Sequence, residues 1–239
     1  MLLITWAMKN PVLEHLGIIE SNFRESISIP IQQIARVVVH KGEITNEQME
    51  LLNRVIDVEK IPELYKEYIS DPVKFSVDGD YIKENKKEYL KAWIEIGIKN
   101  PKQYLHAWIE QTKGYWNEGY DYAIWASGVT PNELGIETSR LIKPFDYLFK
   151  KYAALIMRFE ILAPLRSIGL HVWLLIVLFV FNLLRGMKEK ALPVVPVLMV
   201  IGTLLVATPV FSEFRYAYAV FTVLPMYVAI SFLGKSQKN

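Results

Sequence analysis

The distribution of hydrophobic and polar positions divides the chain into two parts. In the first two-thirds, apolar residues recur every three or four positions among Lys, Glu, Asp and Tyr, which is typical of amphipathic helices. The last third holds three runs with almost no charge, at about residues 168–184, 191–211 and 217–233. Each run approaches the roughly 20 apolar residues that cross about 30 Å of hydrocarbon. We therefore predict an all-α protein, with a helical domain at residues 1–165 and a transmembrane region at residues 166–239.

The basic residues of the short loops predict an orientation. The loop between the first two runs holds three basic residues and the C-terminal tail holds two. The loop between the second and third runs holds only Arg215, two residues from Glu213. Because basic loops stay in the cytoplasm, we expect an extracytoplasmic N-terminal domain and a cytoplasmic C-terminus.

An exported domain of this size needs a targeting signal, and the N-terminal residues do not resemble one. Their apolar run is short and no basic region precedes it. The sequence therefore predicts further membrane spans upstream, so that the chain is the C-terminal portion of a larger multi-span protein. The alternative is an intact protein of the opposite orientation, with the N-terminal region in the cytoplasm.

Local signals place helix ends within the first part. Ser28–Pro30 predicts a helix start, and Thr45–Gln48 has the pattern of a capping box. Ser70–Pro72 predicts a turn, and Asn100-Pro101 separates two amphipathic helices. A last helix approaches the membrane and is expected to end or kink at Pro164.

Composition excludes several kinds of chemistry. The chain has no cysteine, so disulfides, thiolate metal sites and a cysteine nucleophile are excluded. A net charge of +2 argues against a nucleic-acid partner, which usually selects a concentrated basic surface. None of the four histidines has a partner at metal-ligand spacing, and no phosphate-binding glycine loop is present. No metal site or other cofactor is indicated, and a divalent metal is left open.

Two polar clusters in the first part are candidate binding residues. Gln32, Gln33 and Arg36 lie close together on one predicted helix and are grouped with Glu25; glutamine and arginine side chains can hydrogen-bond sugar hydroxyls or a phosphate. The alternative is an ordinary solvated helix face. Asp71 could act as a base or a metal ligand and Lys74 as a phosphate contact; the alternative there is a simple turn.

Two further clusters lie near the membrane. Aromatic residues between Tyr115 and Trp125 could stack on sugars or lie at the lipid headgroups; the alternative is core packing. Glu213, Arg215 and Tyr216 lie between the last two apolar runs. Charges at a membrane mouth are expected to face protein or water. An arginine there can bind the phosphate of a lipid carrier, whereas the alternative is an exposed connecting loop.

The segments that carry these clusters resemble a known family. IPIQQIARVV, SDPVKF, KNPKQYLHAWIEQTKGYW and PVFSEFRYAYAV occur in this order along most of the chain. Together they resemble an uncharacterised family of bacterial multi-spanning membrane proteins, usually classed with the GT-C-type glycosyltransferases. Full-length members have many more spans upstream, which agrees with the expected C-terminal portion.

The resemblance implies a plasma-membrane transferase that passes a sugar from a polyprenyl-phosphate carrier to a cell-envelope glycan. Arg215 would contact the carrier phosphate, with Glu213 and Tyr216 beside it. Gln32, Gln33 and Arg36 would position the sugar or the acceptor. The catalytic acidic residue of such enzymes usually lies in the first external loop, so this chain alone is expected to lack it.

Two alternatives of other classes stay open. The protein could be a non-catalytic scaffold or polymer-export subunit of envelope assembly, or a small transporter component. Few ionisable residues lie within the apolar runs, which argues against the transporter.

Overall fold

The computed structural model describes residues 22–119, 133–135, 143–208 and 210–233. In these ranges the protein is all-helical and has no β-strand. One isolated antiparallel bridge joins Ile69 and Val210. The predicted all-α class is therefore confirmed for the described part of the chain.

The chain divides into two compact units. Among the described residues, the first unit comprises 22–66 and 70–105, and the second comprises 67–69 and those from 106 onwards. The predicted boundary at residue 165 separates water-facing from lipid-facing chain, whereas these units are groups of mutually contacting residues. The predicted domain boundary therefore stays a prediction.

Within the described residues, the first unit contains seven α-helices, of which the last continues into the second unit. They are α1 (Ser28–Val39), α2 (Asn46–Val55), α3 (Ile61–Leu64), α4 (Asp71–Lys74), α5 (Gly79–Glu84), α6 (Lys86–Lys99) and α7 (Pro101–Thr112). Helix α1 packs against α3, α4 and α6 and is the most buried of them. Its apolar face meets Leu52, Ile61 and Ile96, which are at most 1% exposed. Burial of these side chains away from water is the main stabilising contribution to this unit.

Most local predictions for the first unit are confirmed. Thr45 and Gln48 form both hydrogen bonds of the capping box at the start of α2. Helices α6 and α7 meet at Asn100, as predicted. The turn predicted at Ser70–Pro72 is instead the start of the one-turn helix α4, with the proline in its first turn. Proline is favourable there because its missing N–H has no helical partner to lose.

The second unit contains the apolar helices. Its helices after α7 are α8 (Lys143–Arg158), α9 (Ile168–Leu184), α10 (Lys188–Ala191), α11 (Val195–Ala207) and α12 (Phe214–Phe232), with 3₁₀ segments at Glu160–Arg166 and Leu192–Val194. Two stretches in the described part are long and apolar enough to cross a membrane, namely Lys188–Ala207 and Phe214–Phe232. The protein is therefore associated with a membrane.

The predicted spans match these helices to within a few residues. The second predicted run, at 191–211, becomes Lys188–Ala207, because Thr208 is extended. Thr208 precedes a proline, which disfavours the helical conformation of the residue before it. The first predicted run coincides with α9, which is bent by 66° from the preceding segment Glu160–Arg166.

The helix expected before the membrane differs from the prediction. Helix α8 ends at Arg158, and a separate 3₁₀ helix, Glu160–Arg166, contains Pro164. The break lies at Phe159, whose backbone is extended, five residues before the proline.

Helices α9, α11 and α12 pack together through small and apolar residues. Ile168, Leu175, Val194, Ala217 and Val220 are fully buried where these helices meet. Helix α9 has its most extensive contacts with α12. Larger apolar side chains, such as Val177, Met199 and Met226, are exposed on the outer sides of these helices.

Candidate functional site

The loop between α11 and α12, residues 208–213 without Pro209, is held by side chains from α7. The last carbonyls of a helix have no partner within it. At the end of α11, the carbonyl of Leu205 accepts a 2.8 Å hydrogen bond from the Trp108 indole, and that of Thr208 accepts one of 2.8 Å from Gln111 Nε2. Gln111 is fully buried. These two bonds give partners to two carbonyls at the C-terminal end of α11.

A second set of contacts centres on the carbonyl of Val210. It accepts hydrogen bonds from the hydroxyls of Thr208, at 2.7 Å, and Tyr115, at 3.2 Å. Tyr115 and Thr208 are both fully buried. Burial raises the pKa of Tyr115 to about 12, so the phenol keeps its proton and remains a donor at neutral pH.

The same loop is bound by two backbone segments of the second unit. The N–H of Phe211 donates to the carbonyl of Tyr68 at 2.9 Å, and the two rings pack edge to face. A Cβ on Gly114 would lie only 2.3 Å from the carbonyl oxygen of Phe211, so the backbones approach more closely than any other residue type allows. The loop is thus held in one conformation by contacts along most of its length.

The predicted residues Glu213, Arg215 and Tyr216 lie at the start of α12. Arg215 is 69% exposed, and its Nε lies 3.8 Å from Glu213 Oε1. Its guanidinium lies 4.9 Å from the centre of the Tyr216 ring, a cation–π distance. The structure therefore brings these three side chains together and leaves the guanidinium largely in contact with solvent.

An apolar groove of about 310 Å³ lies on the face of α9 and α11. Trp116 and Trp173 line it together with Ile176, Leu198 and Gly202. The Trp173 indole donates to the carbonyl of Trp116 at 2.7 Å, which fixes one tryptophan against the backbone of the other. Tryptophans with one polar and one apolar side are typical of the membrane interface.

The first-unit candidates Gln32, Gln33 and Arg36 are buried rather than solvated. The alternative interpretation of a solvated face is therefore wrong for these three side chains, which are at most 9% exposed. Gln32 donates to the carbonyl of Lys66, and Gln33 accepts from the Trp93 indole at 2.9 Å. Arg36 donates to Gln103 and to the Tyr65 hydroxyl, each at 3.3 Å.

These hydrogen bonds join α1 to α6, α7 and the segment before α4. Each of the partners just named lies within the first unit, so the bonds contribute to its stability. The role of these three residues in positioning a sugar or an acceptor stays a prediction.

Asp71 and Lys74 form an ion-pair cluster with Glu25. Lys74 is 3% exposed, and its ammonium lies 2.7 Å from a carboxylate oxygen of each acidic residue. Burial lowers the pKa of Lys74, but hydrogen bonds to Asp71 and Glu25 more than offset it and raise the pKa. The cluster therefore keeps Lys74 charged and joins α4 to the segment before α1.

Among the residues that the structure describes, no three His, Asp or Glu side chains lie close enough together to hold a metal ion. The predicted aromatic cluster is described only in part. Tyr115 is buried and Trp116 lines the groove, whereas Tyr120, Tyr122 and Trp125 lie outside the described residues.

Sequence reasoning missed several polar residues of the second unit. Gln111 and Trp108 were assigned only to an amphipathic helix. Asn182 is fully buried in α9 and donates to Ser231 at 2.8 Å and to Tyr227 at 3.2 Å, both on α12. An asparagine within an otherwise apolar run is the signal that could have identified it, because a buried amide in lipid requires a partner.

Comparisons with known proteins place the chain in one family. No curated protein and no solved structure matches it. The match to the family extends over residues 1–239. The chain therefore belongs to the family of unknown function DUF6020.

Proposed function

We propose that the protein is a multi-pass component of the bacterial plasma membrane with three spans, in which α9 is the first. Helix α9 has 17 residues, none of them charged, which is at the lower end of the length that crosses the hydrocarbon of a bilayer. The positive-inside rule then places the loop of Arg185 and Lys188 in the cytoplasm and the loop of Arg215 outside. The N-terminal helical domain is extracytoplasmic in this arrangement.

Within that topology, the protein serves in a GT-C-type glycosyltransferase that uses a polyprenyl-phosphate-linked sugar to modify a cell-envelope glycan. The observation that carries this proposal is the exposed guanidinium of Arg215 at the external end of α12. Arginine binds phosphate through two parallel hydrogen bonds, and at this depth it meets the headgroup of a lipid carrier. The resemblance of the surrounding PVFSEFRYAYAV segment to such transferases supports the same role.

The apolar groove on α9 and α11 is a second observation in favour of a lipid-linked substrate. Its lining is almost wholly apolar, which suits an isoprenoid chain. Gly202 contributes to this space because nothing lies within 4 Å of the position that a Cβ would occupy.

The full chain in lipid nanodiscs tests the proposal by its binding of a labelled polyprenyl phosphate. Arg215→Gln removes the charge, and we expect at least tenfold weaker binding, since a hydrogen bond to a charged group contributes about 1.5–3 kcal/mol. Arg215→Lys should retain part of the affinity. Arg185→Gln, in the opposite loop, is the matched control and should bind as the unchanged chain does.

A polyprenol without phosphate separates recognition of the charge from simple partitioning. Its binding should be weak and independent of residue 215. Equal binding of the alcohol and the phosphate, or of all three arginine variants, would contradict a carrier-phosphate role for Arg215.

The second candidate is a non-catalytic scaffold or export subunit of envelope assembly. It is favoured by the burial of Gln32, Gln33 and Arg36 and by their hydrogen bonds to Lys66, Tyr104 and Gln103 within the first unit. On this alternative, Arg215→Gln leaves the envelope glycan unchanged in cells, whereas destabilising the first unit abolishes capture of partner proteins. On the transferase proposal, Arg215→Gln lowers glycan output while the protein remains in the membrane.

A further inference from the structure

Helix α8 presents an apolar stripe that no described residue covers. Leu148, Tyr152 and Leu155 follow the i, i+4, i+7 spacing of one helix face and are 59%, 50% and 52% exposed. A different face of the same helix is buried, with Ile156 at 2% and Ala153 at 8%. The helix is therefore anchored on one side and apolar on another that remains open.

The apolar surface continues along the chain towards the membrane. Phe159, Ile161 and Leu165, in and before the segment Glu160–Arg166, are 46%, 86% and 45% exposed. Only Arg166 and Ser167 then separate this surface from the first residue of α9. The open stripe is thus continuous in sequence with the apolar surface of a proposed span.

Basic side chains flank the stripe. Lys151 lies over the Tyr147 ring at 4.7 Å and Arg158 over the Phe159 ring at 5.8 Å, so each cation extends beside an aromatic group. The sequence of α8 contains four basic residues and one acidic residue. An apolar face with cations along one margin matches a bilayer surface, where phosphates lie directly above the acyl chains.

The angle between the segment Glu160–Arg166 and α9 is also consistent with a bilayer surface as the partner. The segment Glu160–Arg166 makes an angle of 66° with α9. If α9 crosses the bilayer, the segment before it runs closer to the membrane plane than to its normal.

We propose that α8 and Glu160–Arg166 form an interfacial helix pair that binds the phospholipid bilayer surface through the Leu148–Tyr152–Leu155 stripe. The inference rests on the three-span topology proposed above and is independent of glycosyl transfer. The pair holds the start of α9 at a defined depth, because its stripe enters the boundary between headgroups and acyl chains.

Because the sequence has no cysteine, a spin label attached to one introduced cysteine reports on that position alone. Single variants Leu148→Cys and Leu155→Cys are labelled in the full chain, reconstituted in vesicles of phosphatidylethanolamine and phosphatidylglycerol. Collision with oxygen, which enters lipid, is compared with collision with a water-soluble nickel chelate. We expect both labels to favour oxygen and to lie roughly 5–10 Å below the phosphates.

Two matched positions complete the design. Met157→Cys lies on the side of α8 opposite the stripe and is 40% exposed, so its label should favour nickel. Val177→Cys is 59% exposed on α9 and should favour oxygen if this helix crosses the bilayer.

The outcomes separate the two proposals. Nickel access at Val177 overturns the three-span topology and the interfacial helix with it. Oxygen access at Val177 together with nickel access at Leu148 and Leu155 overturns the interfacial helix alone. Labels at Leu148 and Leu155 that are shielded from both reagents place the stripe against protein, which also overturns it.

Discussion

Helix α6 buries Ile96 completely and leaves Ile98 74% exposed, whereas α9 buries Leu175 completely and leaves Val177 59% exposed. The two pairs have the same spacing and nearly the same burial, yet they belong to different units. In the first unit the exposed Ile98 belongs to a short row with Leu90 and Ile94, spaced four residues apart on α6, and Lys and Glu residues lie between them in sequence. In the second unit, exposed apolar groups cover the helices. The comparison teaches that exposure has physical meaning only once the solvent on that surface is known.

The two units also differ in how their buried polar side chains are paired. The first unit buries Gln33 and Arg36 with side-chain partners on several helices. The second unit buries Asn182 against Ser231 and Tyr227, with apolar residues on either side. Buried polar residues connect several elements of the first unit, whereas among the apolar helices of the second unit Asn182 joins one helix pair, α9 and α12.

The largest expected effect is truncation in the core of the first unit. Ile96→Ala removes a fully buried side chain, and we expect a loss of about 2–5 kcal/mol in the free energy of unfolding, since the neighbours cannot fill the space. Ile98→Ala on the same helix should change it by less than about 0.5 kcal/mol. Scanning fluorimetry in detergent measures both, and equal shifts would contradict the assigned burial.

The next prediction compares a lysine substitution on an exposed surface of each unit, which tests whether lipid or water contacts that surface. Met199 is 68% exposed near the middle of Lys188–Ala207, and Met199→Lys should oppose membrane insertion by roughly 2.5–3.5 kcal/mol. Ile98→Lys, at a similar exposure in the first unit, should be tolerated. The measurement is the share of protein that resists alkaline extraction from membranes. Tolerance of lysine at both positions would show that residue 199 faces water.

A smaller effect is expected from close packing in the second unit. A Cβ on Gly169 would lie 2.5 Å from the carbonyl oxygen of Asn117, so Gly169→Ala should destabilise the protein by about 1–3 kcal/mol. Gly202→Ala is the matched control, because no atom lies within 4 Å of its Cβ position. It should stabilise α11 by up to about 1 kcal/mol. Thermal unfolding of the two variants in one detergent tests the difference, and a neutral Gly169→Ala would refute the close contact.

The smallest effect concerns alkaline pH. Burial raises the pKa of Tyr89, and burial together with Tyr89 raises that of Tyr104 above the ordinary value of 10.0. A group whose pKa is higher in the folded state stabilises the fold fully at pH values below its unfolded-state pKa. This contribution is lost as the pH rises through the folded-state pKa. Stability should therefore be constant from about pH 7 to 9 and fall above about pH 10, as unfolding titrations would reveal. Tyr89→Phe should reduce the loss of stability above about pH 10, because this variant has no phenol to ionise at that position. An unchanged dependence of stability on pH would contradict the role of buried Tyr89.

Predictions based on local chemistry succeeded where the deciding atoms are close in sequence. The capping box of Thr45 and Gln48 spans three residues, and the break at Asn100-Pro101 follows from the missing N–H of proline. The membrane stretches were located because lipid rejects charge along a whole helix. Phe159 was missed as a break because the proline five residues later is the stronger local signal.

The sequence predicted the candidate residues from their side-chain chemistry, but it did not predict their burial or their hydrogen-bond partners. Gln32 and Arg36 have the donors that bind sugars and phosphates, and the same donors serve equally well inside a protein. The partners that decide between these uses, such as Lys66 and Gln103, lie 34 and 67 residues away in sequence. Trp108 and Gln111 were missed for the same reason, since their partners at the end of α11 are 97 residues distant.

The sequence by itself determined that this protein is helical and membrane-associated, because helical periodicity and freedom from charge are properties of short windows. Only the tertiary structure decided which polar groups are buried, and that a 69% exposed Arg215 stands at the end of α12. The physical reason is that a buried donor requires an acceptor, and packing alone determines which distant backbone or side chain supplies it.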